Sequence, residues 1–250
     1  MQEVVDSIQE QREISIIRPF GPTIIKGKIP TMVQQQLCKI FEHAFDADDH
    51  SLFLAGNMKR EFTLNETAFG NEDAQPFVQM LADGSADVYR ESKQLQWLNT
   101  RDVVTDAHRE LVDARIDDMN LSCVIHEAWG NISVAGDWNP IHSHTGAISG
   151  VGYLRLPDTI EHEWSQEDHD PSAAMIQFTD GRPANLNMHN VRMKPAVGDI
   201  YFFPAWLLHE VYPFRSTGER WSFSFNTTVE NLNQDMTLTD TDKEMIRGAS

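Results

Sequence analysis

The chain has 250 residues, 40% of them apolar and including six Trp and 13 Phe, enough for one large domain or two small ones with a sizeable core. Its 38 acidic and 20 basic residues give a formal charge of −18, which repels nucleic-acid phosphates and anionic lipid, so neither nucleic acid nor membrane is an expected partner. Only Cys38 and Cys123 occur, too few for a disulfide framework or a cysteine-rich zinc site; with no apolar run of about 18 residues and no signal core in MQEVVDSIQEQRE, the expectation is a soluble, cytoplasmic protein.

Residues 1–12 are polar and read as loosely ordered. Residues 13–30 are β-branched and interrupted by Pro and Gly, which predicts one or two strands. Pro30 and Thr31 open a helix reaching to about Phe45, with Val33, Leu37, Ile40, Phe41 and Phe45 at helical spacing. Two further helical stretches are expected over about 73–84 and 86–118, the second interrupted near Trp97. From Leu121 to about Glu230 the pattern turns to strands and turns, and the tail beyond reads as a short helix or a frayed end. This order predicts a single α+β, mainly β domain over 1–250, in which strands and supporting helices of 1–120 buttress a β-sandwich or barrel of 121–230. There is no strand–helix alternation and no glycine-rich phosphate loop, which argues against a nucleotide-binding α/β fold.

Three features of the β-rich part carry chemistry. His142 and His144 stand two apart, so in a strand both imidazoles point to one face and suit a metal. The turn-rich AGDWNP before them suggests a hairpin-like pairing of Ile132–Val134 with Ile141–His144. Further on, Ile200–Phe203 reads as a buried strand ended by Pro204, and His209 follows among Trp206, Leu207, Leu208 and Val211, where a buried imidazole needs a partner. Each histidine alone has a structural explanation, a solvent face for the pair and a backbone-bonded core residue for His209. The third feature is GERWSFSFN, 218–226, which alternates strictly: Trp221, Phe223 and Phe225 on one face, Arg220, Ser222, Ser224 and Asn226 on the other. If that polar face lines a narrow lumen, Arg220 offers a rigid fork for a carboxylate and Ser222 a further donor.

Taken together, His-x-His, SGVGYL, GDIYFFPAWLLHEV and ERWSFSFN resemble the 2-oxoglutarate/Fe(II)-dependent oxygenases related to prolyl hydroxylases, in a His-x-His variant, over about Trp129 to Asn226. The resemblance implies a double-stranded β-helix (jelly-roll, cupin-like) barrel. It implies Fe(II) on His142, His144 and His209, and 2-oxoglutarate held through its distal carboxylate by Arg220, Ser222 and Tyr153, with Asn131 and Asn226 as further lumen candidates. It also implies a dioxygenase that consumes O2, hydroxylates an aliphatic C–H and releases succinate and CO2. His144 departs from the family pattern, which has a carboxylate there; Asp137, across the turn, and Glu210, on the opposite strand face, are poor substitutes.

Two other readings stay open. A metal-dependent cupin enzyme that uses no 2-oxoglutarate shares His-x-His and the Gly198–Pro204 spacing, but the glutamate expected after the pair is missing. A non-catalytic jelly-roll module would bind a sugar or peptide without iron. The substrate expected is a small molecule or peptide, with a prolyl, other peptidyl or amino-acid target all compatible, as is a homo-oligomer. The acidic segment 161–172 suggests a flap over the barrel mouth, with His162 and His169 simply solvated.

Overall fold

The computed structural model describes residues 15–17, 21–44, 60–64, 74–98, 105–165, 171–181 and 189–233. Eleven strands are seen among them: β1 (Ser15–Ile17), β2 (Ile24–Lys28), β3 (Arg60–Thr63), β4 (Leu121–Ser133), β5 (Asn139–His142), β6 (Ile148–Arg155), β7 (Ile176–Thr179), β8 (Asn190–Met193), β9 (Asp199–Pro204), β10 (Leu208–Val211) and β11 (Arg220–Asn231). They form a seven-stranded antiparallel sheet in the order β1-β2-β9-β6-β11-β4-β3 and a four-stranded one in the order β5-β10-β7-β8. From β4 onward the chain alternates between the two sheets, staying in one only for the β7–β8 hairpin. That winding is the double-stranded β-helix of a jelly roll.

The two expected strands of 13–30 are β1 and β2, paired antiparallel. Helix α1 (Thr31–His43) begins where Pro30 predicts and buries Val33, Leu37 and Phe41. Ile40 is partly buried, and Phe45 lies outside the described residues. Helices α2 (Gln75–Leu98) and α3 (Asp106–Asp117) follow. A bond from Gln94 Nε2 to Asp113 Oδ1 at 2.7 Å ties them together, and the Thr105 hydroxyl caps α3 by accepting from the His108 N–H at 3.2 Å.

The expected helix boundary near residue 85 is incorrect. α2 runs unbroken through Gly84–Ser85 and ends only at Leu98. Tertiary contact overrides the local breaker: Gly84 faces the sheet, where a Cβ would come within 2.2 Å of Phe202 Cζ. Ser85 Oγ donates to the Leu81 carbonyl at 2.8 Å, one turn back, so its buried hydroxyl is satisfied inside the helix.

The hairpin expected before His142 is also absent. β4 pairs with β11 and β3, whereas β5 pairs with β10, so the AGDWN turn carries the chain from one sheet to the other. α1 and α2 cover the outer face of the large sheet, where Phe41, Phe77, Leu81 and Val88 pack with Ile200, Phe202, Trp221, Phe223 and Phe225. A second cluster fills the inside of the barrel, with Val151, Ile176, Phe178, Tyr201, Phe203 and Leu207.

The Gly84–Phe202 contact sets two effects against each other. Ala in place of Gly favours an isolated helix by about 1 kcal/mol, while overpacking a core costs about 1–3 kcal/mol. Gly84→Ala is therefore expected to lower stability in urea titration, and adding Phe202→Leu to recover most of the loss.

Candidate active site

His142 ends β5 and stands directly opposite His209 on β10. His144 lies just beyond β5, where its N–H donates to the Ala205 carbonyl at 2.9 Å. The three rings meet at centroid distances of 4.3 Å (His142–His209), 4.8 Å (His142–His144) and 5.0 Å (His144–His209). Their ligand atoms lie within 4.8 Å of one another, a cluster able to hold a metal ion. The i,i+2 spacing supplied two imidazoles, and cross-strand pairing supplied the third.

Backbone carbonyls fix the rings. His142 Nδ1 lies 2.6 Å from the Pro140 carbonyl and His209 Nδ1 2.9 Å from that of Leu207. A carbonyl only accepts, so each Nδ1 carries the proton and each Nε2 keeps its lone pair for a ligand. His209 is 4% exposed and packed against Phe178 and Phe203. Burial first, then the neighbouring His142, hold His209 down to about 3 and His144 down to about 4. Both are neutral near pH 7, as metal ligation requires.

The same pocket, about 530 Å³ with its open mouth included, is lined by Arg220, Ser222, Tyr153 and Asn131 as well as by the three histidines. Trp129, Ser224, Val151, Ile176, Phe203, Val211 and Asn139 complete much of the wall. The alternation of 218–226 thus separates two interiors: Trp221, Phe223 and Phe225 enter the core under the helices, while Arg220, Ser222 and Ser224 enter the pocket. Asn226 faces the same way but lies outside the pocket lining, bonded to Ser149 and Glu127. Of the two carboxylates judged poor substitutes, Asp137 accepts from the Val134 N–H at 2.9 Å. Glu210 accepts from Gln177 Nε2 at 2.6 Å on the outer face of the small sheet.

Arg220 is the electrostatic anomaly of the site. It is 3% exposed, and among the described residues no carboxylate is ion-paired with it. Its Nη2 donates to Ser133 Oγ at 3.0 Å and its Nη1 only distantly, at 3.4 Å, to the Ala174 carbonyl, while Nε has no partner. Desolvation by burial lowers its pKa from the ordinary value, opposed by Tyr153 and Asp137. Ala174 is itself unusual, a non-glycine residue at φ 57°, a conformation costing about 1–2 kcal/mol. Asn131 Oδ1 is a second buried polar atom without a partner. A cation buried this way calls for an anion, and a dicarboxylate reaching from Arg220 toward the histidines meets that need.

Residues 127–226 match the model of a family described as "Putative 2OG-Fe(II) oxygenase". Over that segment the chain is similar to the 2OG-Fe(II) oxygenases. No curated protein matches the chain. Among solved structures, a Pseudomonas putida prolyl-4-hydroxylase is 13% identical, covers 90% of this chain and 97% of its own, and gives a TM-score of 0.45. A prolyl hydroxylase from Trichoplax adhaerens, in complex with a hypoxia inducible factor peptide fragment, is 12% identical, with coverage of 100% and 92% and a TM-score of 0.46. The non-heme α-ketoglutarate-dependent epimerase SnoN of nogalamycin biosynthesis is 10% identical, with coverage of 92% and 84% and a TM-score of 0.48. Such an oxygenase works with Fe(II), 2-oxoglutarate and O2, and the histidine cluster and a buried guanidinium without a carboxylate partner among the described residues suit the first two.

Sequence reasoning missed three contributors. Trp129, whose ring centre lies 5.5 Å from that of His144, was readable from β4 alternation once Asn131 was placed inside. Ser133 and the Ala174 carbonyl gave no signal, because their role exists only through contact with Arg220. The flap expected over 161–172 begins as a short helix, α4 (Ile160–Trp164), pinned to the β10–β11 connection by Glu163, which accepts from the Arg215 and Ser216 N–H groups at 3.0 and 2.7 Å. His162 is exposed on α4, and residues 166–170, with His169, lie outside the described residues.

Two outcomes follow from this electrostatics. Arg220→Met should leave the metal-free protein at least as stable as wild type, because removing a buried, imperfectly paired charge is often neutral or stabilising by about 1–4 kcal/mol; a clear loss in urea titration would make the guanidinium structural instead. His144 and His209 have folded values below the ordinary 6.5, so the unfolded chain binds protons first as pH falls. Their contribution is intact above about pH 6.5 and is lost from there toward about pH 4 for His144 and about pH 3 for His209, at about 1.4 kcal/mol per pH unit for each group. His209→Phe should flatten the pH dependence of metal-free stability by one proton in that window.

Proposed function

We propose that this oxygenase is a dioxygenase that hydroxylates an aliphatic C–H of a small-molecule or peptide substrate, with succinate and CO2 as co-products. The observation that carries the reading is one pocket holding both a three-imidazole cluster and a buried guanidinium without a carboxylate partner among the described residues. In this reading His142, His144 and His209 hold Fe(II) through neutral imidazole nitrogens. Arg220 takes the distal carboxylate of 2-oxoglutarate in a bidentate grip, and Ser222 and Tyr153 line the same end. When bound, iron would activate O2, the oxidant, with 2-oxoglutarate as the co-reductant, and the chain supplies orientation and shielding.

The residues divide that work along the barrel. Burial keeps the Tyr153 hydroxyl protonated, its pKa raised well above the ordinary phenol value, so it can donate to a carboxylate. Phe178 and Phe203 exclude water from one side of His209, and Trp129 walls the pocket beside His144. A cupin-type enzyme that uses no 2-oxoglutarate gives Arg220 no task, and a non-catalytic module gives none to the histidines.

The decisive measurement is anaerobic. Addition of 2-oxoglutarate to the Fe(II)-loaded protein should change its visible spectrum; an unchanged spectrum would favour the cupin alternative. Arg220→Ala should abolish that change while sparing Fe(II) binding, and His144→Ala should lose Fe(II). Undiminished succinate production by Arg220→Ala would remove the guanidinium from the 2-oxoglutarate site.

A further inference from the structure

Three neutral imidazoles leave a divalent metal with its full double charge, whereas one carboxylate in the ligand set would halve it. The clustered groups here include no carboxylate. Two of the acidic residues near the ligand strands are committed elsewhere, Asp137 to the Val134 N–H and Glu210 to Gln177 on the outer face.

Glu127 stands differently. It is two residues before Trp129 on the inward face of β4, and Trp129 is the residue whose ring packs on His144. Its carboxylate is solvent-exposed, yet Asn226, 1% exposed on β11, donates to its Oε2 through Nδ2 at 2.8 Å. The Asn226 Oδ1 in turn accepts from Ser149 Oγ on β6 at 2.6 Å. A carboxylate cannot donate, so only this orientation of the Asn226 amide satisfies both neighbours. Ser149, Asn226 and Glu127 are in register across β6, β11 and β4. An exposed glutamate normally keeps its rotamer freedom; here a buried pair from two other strands fixes it.

We infer that Glu127 is a positioning residue for the metal, supplying from outside the ligand set the negative charge that three histidines lack. It holds the site attractive to a divalent cation without occupying a coordination position. The inference rests on the metal reading of His142, His144 and His209 given above.

The test uses the full chain and Co(II) as an air-stable probe, with affinity read by competition against a chromophoric chelator. Glu127→Gln keeps an oxygen for the Asn226 bond and loses only the charge. It should weaken Co(II) binding by up to about 5-fold, the scale of an exposed charge pair, with the metal-free urea midpoint and the visible Co(II) bands unchanged. The gap should narrow as salt is raised toward about 1 M, because an exposed charge is screened. Glu42→Gln, another exposed carboxylate, on α1 across the large sheet, should bind like wild type. Equal affinity in Glu127→Gln and wild type overturns the inference. So does an equal loss in Glu42→Gln, which would assign the effect to the general charge of the chain. A wild-type protein that takes up no Co(II), or a His144→Ala variant that binds it undiminished, overturns the metal reading first and this inference with it.

Discussion

A strand buried on both faces has no freedom of register, since a shift by one residue exchanges every side chain between them. β11 is such a strand, lying between β6 and β4 in the interior of the large sheet. One face places Trp221, Phe223 and Phe225 under α1 and α2, and the other places Arg220, Ser222 and Ser224 in the pocket. A slip would put a guanidinium into the helix-facing core. Glycines on the neighbouring strands complete the fit: a Cβ at Gly150 or Gly152 would come within 2.3 Å of the Phe225 or Phe223 ring. The register that builds the core therefore also aims the site.

That arrangement concentrates cost in a few places. The protein carries a net charge of −18 but keeps a guanidinium buried without a carboxylate partner among the described residues. It holds Ala174 in a left-handed conformation whose carbonyl points toward that guanidinium. It also buries two imidazoles whose charging in acid opposes folding. None of these helps the metal-free chain fold, and all become intelligible once a dication and a dicarboxylate fill the pocket. Ligands that bind only the folded state then restore stability by mass action.

The local elements were largely readable because they depend on nearest-neighbour chemistry. The α1 start at Pro30–Thr31, the buried run of β9 and the two-faced β11 followed from spacing alone. The errors share one cause. Gly84 looked like a helix break, yet the Phe202 ring fills the space beside it. The AGDWN turn looked like a hairpin, yet it joins two sheets, because β11 and β3 occupy both edges of β4.

By itself the sequence determined the ligand types, their order and the polar face of β11, because alternation and i,i+2 spacing are properties of a single strand. The resemblance of those motifs added the cofactors. Only the tertiary structure decided that His209 lies opposite His142, that Arg220 is buried with Ser133 and Ala174 as its partners, and that Asn226 serves Glu127 rather than the pocket. Each of those facts joins residues tens of positions apart, and strand pairing at such separations and burial of charge arise only when the distant segments come together.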